Sequence, residues 1–294
     1  MLDLISASTP LFFTGVFIFG LLIGSFLNVV IYRLPREEPI GMSRSKCPSC
    51  QTLIAWFDNV PVLSYLVLLG RCRSCKQPIS FRYPLVEAIT AAIFVLAFVR
   101  ARALAWDPIW LGFATTASFC AALVAASFID LAHQILPDTL TKRVLPLIAL
   151  VGAVTVPDIS GTTVFGFDLA ASGLKIGLAS LLVGVAGGLV GGVCVGAIRW
   201  AGSKLARREA IGLGDVKLMA ACGILLGPGG VLLALLVALV VGSVLGVILW
   251  LITRARVIPF GPFLALGVLV VLFFGDETAY LLLERYPAWV RGIF

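Results

Sequence analysis

Two carboxylates and four thiols stand out in this sequence by type and spacing. Asp130 closes a long apolar stretch in Phe128-Ile129-Asp130-Leu131, followed by His133-Gln134-Ile135-Leu136-Pro137-Asp138. Asp215 opens another, in Gly212-Leu213-Gly214-Asp215-Val216-Lys217. Ionisable residues inside membrane-length apolar stretches are costly, which makes them functional candidates. Two carboxylates held close together cannot both ionise, so they share one proton. The ionised one can take a proton from water while the protonated one donates to a carbonyl oxygen. Such a pair hydrolyses an amide with neither a metal nor a Ser or Cys nucleophile, and it titrates as a unit. Gly212 and Gly214 are expected to permit a tight, non-helical entry to the Asp215 helix and close approach of a substrate backbone. A plainer reading stands beside this one. Asp215 could cap its helix, Asp138 could cap the helix after Pro137, and Asp130 could face interfacial water. Lys217 either tunes the pair or snorkels to the interface.

The thiols form two knuckles, Cys47-Pro48-Ser49-Cys50 and Cys72-Arg73-Ser74-Cys75, with 21 residues between them. Four thiolates from two CxxC pairs can converge as the tetrahedron that a structural Zn2+ prefers. With all four positions filled by protein, no site is left open for metal chemistry. Disulfides or a redox pair are the alternatives; a redox CxxC would sit on a βα turn, a pattern that does not surround these residues. Cys120, Cys194 and Cys222 lie inside apolar stretches and read as small buried hydrophobes.

The elements that must position these groups are membrane helices. Of 294 residues, 60% are hydrophobic and 13% charged, far from the 45–50% or so apolar and about 25% charged of soluble domains. The apolar residues come in blocks near the 20 or so residues that span a bilayer. The expected fold is all-α and polytopic, of about eight transmembrane helices at 11–32, 84–99, 108–129, 143–157, 169–199, 216–226, 230–252 and 261–275, with a small cytosolic four-cysteine insert. A six- or seven-span arrangement with one re-entrant segment is the alternative. The implied division is 1–34 first span, 35–82 zinc insert, 83–278 membrane core and 279–294 an interfacial C-terminal segment. Placing the loop after the first span in the cytosol puts 17 of the 22 Lys and Arg on that side, as the positive-inside rule requires. Asp130 and Asp215 then both lie at the cytosolic ends of their helices, at one depth. The net charge of +7 reads as a topology signal. It does not indicate a nucleic-acid partner, because the cations are interrupted by apolar spans. Met1 to Pro10 lacks the basic region of a cleavable signal peptide, so the first helix is expected to be retained.

These residues resemble, in order along nearly the whole chain, the type IV prepilin peptidases (leader peptidase/N-methyltransferases), relatives of the GxGD aspartyl proteases. The resemblance rests on Gly24-Ser25-Phe26-Leu27-Asn28 through Pro35, both cysteine knuckles, Arg82-Tyr83-Pro84-Leu85-Val86-Glu87, Asp130 to Asp138, Gly212 to Lys217, and Ile258-Pro259-Phe260-Gly261-Pro262-Phe263. It implies that Asp130 and Asp215 are the catalytic pair and that Asp138 is supporting. It also implies that the substrates are prepilins and pseudopilins, cut at the cytosolic face of a bacterial inner membrane. The new terminus would then be N-methylated from S-adenosyl-L-methionine. Glu87 and Asn28 could line the methyl-donor pocket or simply hydrogen-bond between helices. Relative to the family pattern, the 130–215 interval is long, with Ile159–Phe167 and Ser203–Ala210 expected as loop extensions.

Gly184, Gly188, Gly192 and Gly196 make one flat helix face, expected to serve internal packing ahead of a homodimer contact. Tyr280, Tyr286 and Trp289 read as an interfacial lipid anchor. Two rival functions remain at this point: a peptidase without methylation, and an ion-coupled transporter or assembly factor. Against the transporter, no charged residue lies mid-span and no inverted repeat is visible.

Overall fold

The computed structural model describes residues 2–41, 45–104, 108–156, 163–164, 167–168, 175–206, 211–253 and 259–279. The chain is a multi-pass, helical membrane protein. Among the described residues, five helices are long and apolar enough to cross a membrane (Pro10–Arg36, Arg82–Ala103, Ile109–His133, Ile176–Leu205 and Leu213–Ile248), and Gly261–Gly275 is shorter. Packing divides the chain into two units, Met1–Ala105 and Trp106–Phe294.

In the first unit, α1 (Leu2–Arg33) and α3 (Arg82–Ala103) form an antiparallel pair. Phe13 meets Phe98 edge-on at 5.5 Å between ring centroids, and Phe19 meets Phe94 at 5.8 Å. A Cβ on Gly20 would fall 2.6 Å from Ala91 Cα, and one on Gly24 2.6 Å from Glu87 Cα. The two backbones therefore touch where the sequence supplies no side chain, as small residues allow in membrane helix pairs. Between them runs the insert, with two short helices, Trp56–Asn59 (3-10) and α2 (Leu63–Val67). Single antiparallel bridges, Lys46 to Leu53 and Arg71 to Pro78, each enclose one cysteine knuckle.

In the second unit, α4 is Ile109–His133, and α5 (Leu145–Thr155) continues a π-helical turn at Thr139–Val144. A two-residue antiparallel pair follows, β1 (Thr163–Val164) with β2 (Phe167–Asp168), so part of the expected loop is paired. Then come α6 (Ile176–Ala206), α7 (Leu213–Thr253) and α8 (Gly261–Ala279). The fifth span starts at Ile176, and 169–174 lies outside the described residues. It also runs to Ala206, so Ser203–Ala206 is helix where a loop was expected: Lys204, Leu205 and Ala206 are good helix formers, and they carry the helix on past Gly202.

α7 is not one rod. Gly227 has φ 69 and ψ 177, and Pro228 follows. Met219 and Val231 both lie against Gly191, since a Cβ there would be 2.5 Å from Met219 O and 2.9 Å from Val231 Cγ2. Residues so far apart in one straight helix could not share a neighbour, so the chain reverses at Gly227. This divides α7 into two arms that correspond to the apolar stretches read from the sequence at 216–226 and 230–252. The second half packs on α8, where a Cβ on Gly242 would meet Phe263 Cγ at 3.4 Å.

The glycine face of α6 is spent inside the chain. Added Cβ atoms at Gly184, Gly188, Gly192 and Gly196 would meet α7 at 2.5, 2.9, 3.4 and 4.0 Å. The two helices thus diverge steadily toward the Asp215 end. Gly187 and Gly191, outside that four-residue series, are as tightly packed as Gly184.

Candidate active site and metal centre

Asp130 sits in the last turn of α4, whose C-cap Gln134 takes the left-handed conformation, φ 55, and returns its N–H to Asp130 O at 2.8 Å. The chain therefore turns sharply just past the carboxylate. Asp215 lies in the first turn of α7, as the third helical residue after Gly212. Both side chains are buried, with Asp130 6% and Asp215 7% exposed. The segments bearing them touch: a Cβ on Gly214 would fall 2.7 Å from Leu136 Cβ, and Lys217 Nζ lies 2.6 Å from Asp138 Oδ1. One carboxylate ends an apolar helix and the other begins one, so both come to the same end of the second unit.

Each carboxylate is seated on a glycine amide. Gly212 N–H donates to Asp215 Oδ2 at 3.2 Å, the reciprocal half of a capping box. Asp215 thus does a capper's work from the third position, and the plain reading of it as a cap is in part correct. Gly261 N–H, at the start of α8, donates to Asp130 Oδ2 at 3.1 Å. Oδ1 of each aspartate accepts no hydrogen bond among the described residues. The Gly261 contact was not legible in the sequence, because it joins residues 131 positions apart.

The neighbouring polar residues differ from expectation in two places. Asp138 does not cap the helix after Pro137 with its side chain. Its carboxylate is drawn to two cations instead: Lys142 Nζ lies 2.6 Å from Oδ2 and Lys217 Nζ 2.6 Å from Oδ1. Lys142, then Lys217, hold the Asp138 carboxyl below the usual carboxylate range. Lys217 therefore ties the start of α7 to the segment after α4 and does not snorkel freely. Gly212 and Gly214 were expected to serve an unusual backbone. Among the described glycines only Gly70 and Gly227 have positive φ, and a Cβ on Gly212 would meet its nearest atom at an ordinary 3.5 Å. Gly214 is required for another reason: its Cβ would lie 2.7 Å from Leu136 Cβ. The Leu136-Pro137-Asp138 segment is thus laid directly on the first turn of α7. His133 is exposed at the helix end.

In the first unit, Cys47, Cys50, Cys72 and Cys75 converge, their four Sγ atoms all within 4.8 Å of one another. Cys47 and Cys75 Sγ are 3.9 Å apart. A zinc ion held by four thiolates at about 2.3 Å spaces them roughly 3.8 Å apart. The chemistry of the knuckles also suits a metal. The Thr52 hydroxyl, then the Thr52 amide, hold the Cys50 thiol down to about 6, and the Cys75 and Ser74 amides lower Cys72. Cys75, although the Gln77 amide lowers it, is pushed up to about 11 by burial and the neighbouring thiols, a crowding that a cation among the four would relieve. Arg73, inside the second knuckle, makes a two-pronged pair with Asp58, at 2.7 and 2.6 Å. The cluster could hold a metal ion, and all four cysteines are free thiols. Of the remaining cysteines, Cys120 and Cys222 are buried and Cys194 is half-buried.

Asn28 and Glu87 both hold the first unit together. Asn28 Nδ2 donates to Tyr83 O at 3.1 Å, across the α1–α3 contact. Glu87 Oε2 accepts the Val62 N–H at 2.7 Å. Val62 has φ 59 and ψ −48, and Leu63 N–H returns to Pro61 O at 2.5 Å, a strained γ-turn that a β-branched residue rarely adopts. Asn28 Oδ1 is buried and has no hydrogen-bond partner. Tyr280, Tyr286 and Trp289 lie outside the described residues.

Comparison with known proteins places most of the chain in a family. Residues 18–101 match the family described as the bacterial peptidase A24 N-terminal domain, and residues 117–247 match the type IV leader peptidase family. A prepilin leader peptidase/N-methyltransferase of Aeromonas hydrophila is 37% identical, over 94% of this chain and 96% of that protein. A type 4 prepilin-like proteins leader peptide-processing enzyme of Escherichia coli O78:H11 is 37% identical, over 86% and 91%. A prepilin leader peptidase/N-methyltransferase of Dichelobacter nodosus is 32% identical, over 95% and 96%. No solved structure matches significantly.

Proposed function

Because the chain belongs to the type IV leader peptidase family, we propose that it removes the leader peptide of type IV prepilins and pseudopilins with Asp130 and Asp215, and then N-methylates the new terminus. The observation that carries this reading is the pair itself: two buried carboxylates at one end of the bundle, each with Oδ2 on a glycine amide and Oδ1 left over. The two Oδ1 atoms are where a shared proton and a water belong.

The chemistry is that of an aspartate dyad. The ionised carboxylate removes a proton from the water, whose oxygen bonds to the scissile carbonyl carbon. The protonated carboxylate gives its proton to the carbonyl oxygen. The tetrahedral diol then collapses: the C–N bond breaks, the amine nitrogen takes a proton from one carboxyl, and the other carboxyl recovers the diol proton. Burial serves this by keeping the pair's charge interaction strong.

The site is read as cytosolic in a bacterial inner membrane, supported by the 17 of 22 cations that this orientation places inside. The substrate bond then lies at the cytosolic end of a class III signal helix, between Gly and Phe. Bound S-adenosyl-L-methionine would supply a methyl group to the freed amine. The buried Asn28 Oδ1 and the Glu87 carboxylate are the acceptors that would hold that donor's ammonium group. The cysteine cluster is read as a structural zinc site.

The test is cleavage of a purified prepilin by the detergent-solubilised protein, with mass analysis of the product. Wild type should give a shortened, methylated product, and Asp130→Asn and Asp215→Asn should each give none at normal protein level. Activity retained in either variant would end the dyad reading. A cleaved but unmethylated product with donor present would remove the second activity.

A further inference from the structure

We infer that Gly261 is a positioning residue for the aspartate pair, and that no larger residue at this position would leave the pair competent. The inference rests on reading Asp130 and Asp215 as that pair. Phe260 caps α8: the Phe263 and Leu264 amides both return to Phe260 O, at 3.1 and 3.2 Å. Pro262 has no N–H to give. Of the first amides of α8, that of Gly261 is therefore the one left to point outward, and it points at Asp130 Oδ2. The sequence Phe260-Gly261-Pro262-Phe263 thus concentrates the donor capacity of the helix start on one carboxylate oxygen.

The absent side chain matters as much as the N–H. A Cβ on Gly261 would lie 2.6 Å from Asp130 Oδ2 and 3.1 Å from Cγ, but an ordinary 3.5 Å from Cβ. The conflict is with the carboxylate itself. The backbone is not the obstacle, because Gly261 does not have positive φ. A methyl group there must push the Asp130 carboxylate off the Gly261 amide. Asp130 sits on the last turn of α4 and cannot follow by a simple helix shift, since Gln134 N–H locks that turn to Asp130 O.

The measurement is kcat and KM of the full-length protein on a purified prepilin, for wild type, Gly261→Ala and Gly246→Ala. Gly246 has nothing within 4 Å of an added Cβ and should stay within twofold or so of wild type. A displacement of about 1 Å at a reacting group costs on the order of 100-fold in rate. Gly261→Ala should therefore lose about that factor in kcat with KM unchanged, because the group it displaces is the Asp130 carboxylate. A kcat near wild type, or a loss confined to KM, overturns the inference. A wild-type protein that cleaves nothing overturns the functional reading instead. Thermal melting provides a second decision that needs no activity. Gly261→Ala should lower the Tm in the wild-type background but not in Asp130→Ala, where the clashing atoms are gone. An equal loss in both backgrounds would place the conflict elsewhere and refute the proposal.

Discussion

Stripping the metal from the cysteine insert should unfold it while the helices stand. Between residues 45 and 80, only Cys47 and Pro61 are buried. Trp56, Leu63, Leu66, Val67 and Leu69 are all more than half exposed. Fully burying one such side chain would contribute about 1.5–3 kcal/mol, and the insert gains almost none of this. A structural zinc contributes about 10–16 kcal/mol in small zinc-binding peptides, so the metal outweighs every other term available to this segment. The Arg73–Asp58 pair, with Arg73 more than half exposed, cannot substitute for it. The assay is limited trypsin digestion at Arg71, Arg73 and Lys76, before and after chelation, with bound zinc measured by elemental mass spectrometry. The intact protein should carry one zinc per chain. Losing even about 3 kcal/mol raises the open population roughly 100-fold, and cleavage should accelerate by that factor. Helicity should barely change, because the insert's helices have 4 and 5 residues against 31 in α6 and 41 in α7. Metal-free protein that resists trypsin as well as the native form would refute the reasoning, as would a preparation that never contained zinc.

Other consequences can be checked on the same preparation. Gly191→Val should lower stability by roughly 1–3 kcal/mol or more through overpacking, because its Cβ would press on Met219 O. Gly196→Ala on the same helix should be nearly neutral, its nearest neighbour being 4.0 Å away; paired melting curves decide. Gly214→Ala should cost activity by displacing Leu136, whereas Gly212→Ala should be tolerated, and the prepilin assay separates them. The Asp138 carboxyl is held below its ordinary value of 3.8 by Lys142 and then Lys217. Its stabilisation is therefore complete above that value and fades as pH falls through the lowered one. Lys217→Met and Asp138→Asn should each flatten that acid limb in a Tm–pH series, and an unchanged limb in both would show that the pair contributes nothing.

What the sequence made legible follows from period and cost. Apolar blocks of bilayer length announce helices directly, and a carboxylate at the end of such a block is expensive enough to announce itself. That is why Asp130, Asp215 and the helices bearing them could be read together. Two CxxC knuckles carry their own geometry, so the thiol cluster was legible too. What escaped depends on partners distant in sequence. Gly261 looks like any helix-initiating glycine until Asp130 arrives beside it. Asp138 after a proline has the form of a cap, and only the approach of Lys217 from α7 shows that its carboxylate is engaged elsewhere. Gly187 and Gly191 fall between the four-residue steps that drew the eye. The helical course of Ser203–Ala206 was hidden because polar residues past a span read as loop, although nothing in them breaks a helix. The strain at Val62 has no local signature, since valine is a poor choice for its φ.

The reversal at Gly227 bears on how the protein enters its membrane. Two apolar arms joined by a bend of so few residues have no hydrophilic linker and no cation between them. Charge bias at that bend therefore cannot decide their direction. The decision falls to the outer ends, where Lys217 lies near the start of the first arm and Arg254 and Arg256 follow the second. The two arms are therefore expected to enter the membrane as one apolar hairpin.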